Sequence, residues 1–237
     1  MLDNYFLEVG KLLHTVGEKQ SETIAQLAEM IVPRLEKGGI IQLFGSGHSM
    51  LLAQDGYFRG GGLVPVKPIH VESLMLHQGA LSASSKEKEC GYFERIQEAF
   101  SFGEQDVCII ISTSAKNPVP IDAALYAKKQ HVLTVSLQSL EYAHVASKHP
   151  SNKRLEQIVD VVLDTMVPVG DGVLQLDQLQ YGPVSTIVGS AILNDLYANI
   201  IEQLHKKGRT LPVFGNSNLG ATNNDALIAD YGKRINF

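Results

Sequence analysis

Five consecutive apolar residues, Val107-Cys108-Ile109-Ile110-Ile111, constrain this chain more than any other stretch. A run without polar alternation has no solvent face, so it reads as a central parallel strand covered on both sides, beginning at Asp106. It breaks into Ser112-Thr113-Ser114-Ala115-Lys116-Asn117, and a helix follows from Pro118 through Ile121, Ala124, Leu125 and Ala127. The same order occurs earlier, where Ile40-Ile41-Gln42-Leu43-Phe44 runs into Gly45-Ser46-Gly47-His48-Ser49 and a helix is expected from Met50 to about Phe58. Glycines at 45 and 47 permit positive φ and close backbone approach. The first amides of a helix lack intrahelical partners and carry partial positive charge, so each unit is a ready anion site built from amides and hydroxyls.

Three familiar glycine loops do not fit the first unit. The dinucleotide fingerprint needs a third glycine where Met50 stands, and no acidic residue follows at the distance of about 20 residues. The ATP-binding loop needs Gly-Lys-Ser/Thr, and the hydrolase elbow needs glycines two residues before and after its serine; both are absent here. A cradle for a monophosphate remains.

A chain of 237 residues, 44% hydrophobic and 19% charged, can bury one sizeable core and reads as a soluble globular protein. A net charge of -5 supplies no general positive field for nucleic acid or an anionic membrane, so any phosphate site is local. The two cysteines, Cys90 and Cys108, imply no disulfide framework, and Cys108 lies in the apolar run where a buried thiol is the default. The N-terminus lacks the pattern of a signal peptide and no apolar run approaches about 18 residues, so a cytoplasmic protein is expected.

Taken in order, apolar residues from Leu2 to Val16 recur at helical spacing, and a second helix is expected after Ser21 with a stripe of Ile24, Leu27, Ala28, Ile31 and Val32. Pro33 is expected to kink it and Gly38-Gly39 to end it. Leu63 to Val71 reads as a strand whose two prolines favour a sheet edge. Ser82, Ser84, Ser85 and the charges from Lys86 to Glu89 read as a solvated loop, with a helix around Tyr92 to Phe100. His131–Leu137 and Ile158–Leu163 give the fourth and fifth strands, and Gly182 to Thr186 opens a long helix to about Leu204, with the hydroxyl pair Ser185-Thr186 at its start. The tail from Pro212, rich in Asn216, Ser217, Asn218, Asn223 and Asn224, reads as a solvated end rather than a lid. This alternation is an α/β chain whose right-handed crossovers give a parallel sheet with helices on both faces and ligand loops at one edge. It divides into N-terminal helices at 1–37, an α/β core at 38–210 and a tail at 211–237, all within one domain.

These three ordered features resemble the SIS, or sugar isomerase, family of phosphosugar-binding domains. Gly45-Ser46-Gly47-His48-Ser49 is similar to the family's first glycine-serine loop, Ser112-Thr113-Ser114-Ala115 to its second hydroxyl loop, and Ser185-Thr186 to its third. The resemblance implies a flavodoxin-like three-layer α/β/α sandwich, which the five strands read above fit as one parallel sheet preceded by the helical pair. It also implies a sugar phosphate ligand, and homo-oligomers, dimeric or tetrameric, with sites near subunit boundaries. Phosphoheptose isomerase-like bacterial members are the nearest in character. Here the second loop continues Ala115-Lys116-Asn117 instead of Ser-Gly-x-Ser/Thr, so Lys116 stands where a hydroxyl is missing. Asp55 stands as a shorter counterpart of a Glu-Glu pair, and Glu72 to His77 is similar, with a gap, to a Glu-to-His segment of arabinose 5-phosphate isomerases.

Aldose–ketose isomerisation through an enediol needs a base for the proton alpha to the carbonyl and a group that moves a proton between two oxygens. His77, Glu72, His205 and Asp55 are the candidates, and Gly45, Ser46, Gly47, His48, Ser49, Ser112, Thr113, Ser114, Lys116, Asn117, Ser185 and Thr186 are the candidate phosphate and sugar ligands. No cofactor is expected; His70, His77, His144 and His149 show no tight ligand spacing, which leaves a zinc site open but unsupported. Two function classes stay open: an enzyme, either a phosphosugar isomerase or an amino-sugar phosphate lyase, and a phosphosugar sensor without chemistry.

Overall fold

A computed structural model describes residues 4–216, 218, 220 and 222–237. Five strands, β1 (Ile41–Gly45), β2 (Val66–Pro68), β3 (Val107–Ile111), β4 (Leu133–Gln138) and β5 (Val161–Asp164), form one sheet in the order β2-β1-β3-β4-β5 with every pairing parallel. The apolar run is its central strand, as its composition requires. Alternate residues of β3 enter different cores, Ile109 and Ile111 on one face and Cys108 and Ile110 on the other. Burial pushes the Cys108 thiol up, so it stays protonated.

On the first face lie α1 (Tyr5–Glu36), α2 (Ser49–Asp55) and α5 (Ser185–Lys206), which share a core with β1, β3 and β4. The second face is covered by α4 (Pro118–Lys129) and short 3-10 turns at Tyr92–Arg95 and Gln97–Ala99. Each fully buried Leu or Ile contributes about 1.5–3 kcal/mol. The chain reverses direction along the sheet between β1 and β3. Helix α2 therefore leaves toward one face and α4 toward the other, the topological point at which open α/β sheets form a ligand crevice.

Several elements depart from the sequence expectations. The two N-terminal helices are one, α1, whose Ser21 hydroxyl bonds the Glu18 carbonyl within the helix instead of capping a new one. Packing along α5 holds it continuous through Pro33, which lies near its end. Leu2 and Ser217 lie outside the described residues. The second strand shrinks to β2 at the sheet edge, where Pro68 needs no ladder donor. The supposed solvated loop holds α3 (Ala80–Glu87), and the helix around Tyr92 to Phe100 is only the two 3-10 turns. An antiparallel hairpin of β6 (Gly172–Leu176) and β7 (Leu179–Pro183), unanticipated, precedes α5.

The tail is not a solvated end. Val213 bridges Leu63 beside β2, Phe214, Leu227 and Ile235 are buried, and α6 (Asn224–Tyr231) packs beside Val64. Arg234 reaches the fully buried Asp106 at 2.6 Å, a carboxylate that also accepts from the Ile40 and Gly103 amides and Gln42 Nε2. These contacts sit at the strand N-termini, opposite the edge that carries the two hydroxyl loops.

Candidate phosphosugar site

The first loop leaves β1 where only glycine fits: a Cβ on Gly45 would stand 2.6 Å from the Ser49 carbonyl carbon. Gly47 takes φ +57° and donates its N–H to the Leu74 carbonyl at 2.9 Å, which ties the loop to the segment after β2. The amides of Ser49, Met50 and Leu51 close onto the carbonyls of Ser46, Gly47 and His48. Helix α2 thus starts tightly wound, and among the described residues only the Ser46 and His48 amides of this loop find no acceptor. Ser46 is buried, Ser49 half-buried and His48 exposed.

The second loop is arranged the other way. Its carbonyls are all taken: Ser112 by the Ala115 amide, Thr113 by Ser139, Ser114 by the Arg154 guanidinium, Ala115 by Leu155 and Lys116 by Lys148. Ala115 sits at φ +53°, doing a glycine's work in the turn. Among the described residues the amides of Thr113, Ser114, Lys116 and Asn117 have no acceptor. Ser112 is buried, and Thr113, Ser114 and Lys116 are half-buried beside them. Amides without partners are what an anion requires.

The third expected site differs. Asp171, at φ +70° ahead of the hairpin, accepts the Ser185 amide at 2.7 Å, the Val184 amide at 3.1 Å and the Ser185 hydroxyl at 2.8 Å. A carboxylate already caps α5, so Ser185 is occupied and the helix end repels a second anion. Thr186 instead lines a cleft between α2 and α5 with Leu51, Leu52, Asp55, Ser190 and Asn194. Asp55 is ion-paired with Arg59 and accepts from the Ser190 hydroxyl, six residues and about 9 Å along α2 from the glycine loop. His205 lies 20 residues after Ser185, about 30 Å along α5 toward the other sheet edge. Neither joins the crevice within one chain.

His77 and Glu72 do lie together. Glu72 accepts from His77 Nε2 at 3.0 Å, from His70 Nε2 at 2.7 Å and from Gln78, and these hydrogen bonds hold its carboxyl down at about 2. His77 shares a recess with Gly47, Met50, Gln54 and Leu76. That recess contains none of the second-loop hydroxyls. Among the described residues no group of three or more His, Cys, Asp or Glu has the geometry to hold a metal ion.

The ancestry of this arrangement is settled by comparison: a family model described as the SIS domain matches residues 4–139, more than half of the chain. The chain belongs to the SIS domain family. This SIS chain is 60% identical over 237 residues, 100% of its own length and 99% of the relative's, to a Lysinibacillus sphaericus protein named UPF0309 protein in nagA 3'region. Its fold is similar to that of the phosphoheptose isomerase GmhA of Neisseria gonorrhoeae, with TM-score 0.54, 17% identity, and 82% of this chain and 94% of that chain covered. It is also similar to the NanR protein of Vibrio vulnificus complexed with ManNAc-6P, with TM-score 0.51 and 17% identity, covering 86% of this chain and 63% of that one. At such identities the likeness is one of fold.

Three residues of this SIS domain hold the site residues in roles that the sequence did not suggest. Glu87, at the end of α3, accepts from Asn117 Nδ2 at 3.0 Å, while Asn117 Oδ1 is buried without a partner among the described residues. His70 is the second brace on Glu72, and Asp171 is the α5 cap. Only Asp171 carried a signal, a carboxylate flanked by glycines before a helix start. No helix among the described residues is long and apolar enough to cross a membrane.

Proposed function

We propose that this SIS domain binds a sugar monophosphate in the crevice between β1 and β3 and isomerises it between aldose and ketose forms. The observation that carries the reading is the second loop, whose carbonyls are all engaged and whose amides stand open beside Ser112, Thr113 and Ser114. The phosphate sits there, with Lys116 adding charge, and Ser46, His48 and Ser49 of the first loop close the other side. Asp171 keeps phosphate away from α5 and leaves that end to the sugar. The fold neighbours include a named phosphoheptose isomerase, which supports the reading at the level of architecture.

His77 is the proton carrier in this proposal. Its Nε2–H donates to Glu72, so Nδ1 keeps a lone pair able to take the proton alpha to the carbonyl. Glu72, already accepting from His70, Gln78 and His77, is engaged on every side and serves to fix the ring. An oligomer whose second copy closes the crevice completes the proposal.

A second reading, binding without chemistry, is favoured by one observation: the His77 recess includes Gly47 but no second-loop hydroxyl. One experiment separates them. A thermal-shift panel of sugar monophosphates identifies the tightest binder, and NMR in deuterated water follows its alpha proton. Exchange that His77→Ala abolishes supports the isomerase; stabilisation without exchange supports the sensor; no stabilisation by any sugar phosphate overturns both.

A further inference from the structure

The segment between β4 and β5 has no part in the site proposed above, yet it touches the second loop along its length. Arg154 is only 6% exposed, and its guanidinium donates to the Ser114 carbonyl at 2.9 Å, to the Val145 carbonyl at 2.6 Å and to Glu156 Oε1 at 2.5 Å. Glu156 is held in turn by Gln138 Nε2 at 2.9 Å, at the end of β4. Next to Arg154, the Leu155 amide donates to the Ala115 carbonyl at 3.2 Å, and the Lys148 amide donates to Lys116 at 2.8 Å. The segment is braced within itself, since the Ser147 hydroxyl bonds the Lys153 carbonyl at 2.8 Å. His149 ties it to Asp122 of α4 at 2.9 Å.

The consequence follows from peptide geometry. In a planar trans peptide the carbonyl of one residue and the N–H of the next point in opposite directions, and the chain has no cis peptide bonds among the described residues. Pulling the Ala115 and Lys116 carbonyls toward the segment therefore aims the Lys116 and Asn117 amides the other way. Arg154 fixes the Ser114–Ala115 peptide plane just before the left-handed turn at Ala115, the conformation on which the direction of the whole loop depends.

We infer that residues 145–155 form a strap that positions the anion cradle, with Arg154 as its positioning residue. This inference rests on the phosphosugar reading of the second loop. Arg154 does not touch the ligand; it sets where the ligand's donors point. Lysine keeps the charge but cannot reproduce the planar fork that reaches Ser114, Val145 and Glu156 together.

The test is calorimetric titration of inorganic phosphate and of N-acetylmannosamine 6-phosphate into the wild type, Arg154→Lys and Glu156→Gln, with amide hydrogen exchange on the unliganded proteins. Arg154→Lys is expected to weaken the probe that wild type binds by about tenfold, the cost of one misaimed amide donor to a charged acceptor, and to speed exchange at Ala115 and Leu155, whose amides are bonded to the Ser112 and Ala115 carbonyls. Glu156→Gln, which leaves the Arg154 bonds to Ser114 and Val145 available, is expected to bind within about twofold of wild type. Wild-type affinity in Arg154→Lys overturns the inference alone, as does an equal loss in Glu156→Gln, which would mark the pair as general support for the fold. Binding of neither probe by the wild type, with no stabilisation across the sugar monophosphate panel, overturns the phosphosugar reading and takes the inference with it.

Discussion

The loops after β1 and β3 are the same unit of strand, hydroxyl residues and helix, but their hydrogen bonding is opposite. In the first, the helix amides turn back onto the loop's own carbonyls and glycine supplies the space. In the second, outside partners take every carbonyl from Thr113 to Lys116, and the amides of Thr113, Ser114, Lys116 and Asn117 are left free, with Ala115 held in the left-handed turn. The difference teaches that one strand-hydroxyl-helix pattern can leave its amides either folded back or free, depending on what engages its carbonyls. The first loop is closed on itself; the second presents free amides.

The sharpest way to break this comparison is Ser114→Asp, which puts a carboxylate among the free amides as Asp171 does at α5. Sugar phosphate affinity should fall by about 100-fold or more in a calorimetric titration, and a loss under threefold would show that the phosphate does not use this loop. Next in size is Gly45→Ala, where the new methyl meets Ser49 backbone at 2.6 Å. Urea unfolding should show a loss of about 2–3 kcal/mol. Asp171→Ala should cost about 1 kcal/mol as a lost helix cap and leave phosphate affinity unchanged, whereas a tenfold change in affinity would return α5 to the binding site.

Glu72 supplies a prediction in pH. Its folded value is depressed to about 2 from the ordinary 4.5, so the stability it contributes is present above about 4.5 and is lost as pH falls through 2. Carbon-detected NMR should find this carboxylate ionised at pH 4, and His70→Ala should move its midpoint back toward the ordinary value. The smallest effect is expected for Ala115→Gly, since relief of the left-handed strain, about 1 kcal/mol, is offset by the loss of a buried methyl. A net change above about 1 kcal/mol in either direction would show that one of those two terms had been misjudged.

The sheet and both loops were legible because unbroken apolar runs and glycine-serine punctuation act locally. Where the fold is decided by distant contacts, local signals misled. Ser21 and Pro33 look like helix boundaries, but α5 runs alongside and holds α1 whole. Charges at Lys86 to Glu89 look solvated, yet α3 buries Ala83 and its Glu87 reaches Asn117. The amide-rich tail hides anchors as widely spaced as Phe214, Leu227 and Ile235. Within the site, residue types were legible and their states were not. Nothing in Ser185 shows that Asp171 already holds its hydroxyl, and nothing in Ser114 shows that Arg154, 40 residues on, holds its carbonyl.

Helix α1 begins beside the base of the hairpin, where the Tyr5 hydroxyl donates to the Pro183 carbonyl at 2.6 Å, and ends where Glu36 meets Lys207 at 3.0 Å and Arg209 at 2.7 Å. Helix α1 is thus clasped along its length by a helix that leaves the ribosome some 170 residues later. Its apolar stripe has no permanent cover until then, and closing so long a loop is slow because its entropy must be surrendered before any contact forms. Maturation of this chain is therefore a late, concerted event, and the interval between synthesis of α1 and arrival of α5 is when it most needs protection from aggregation.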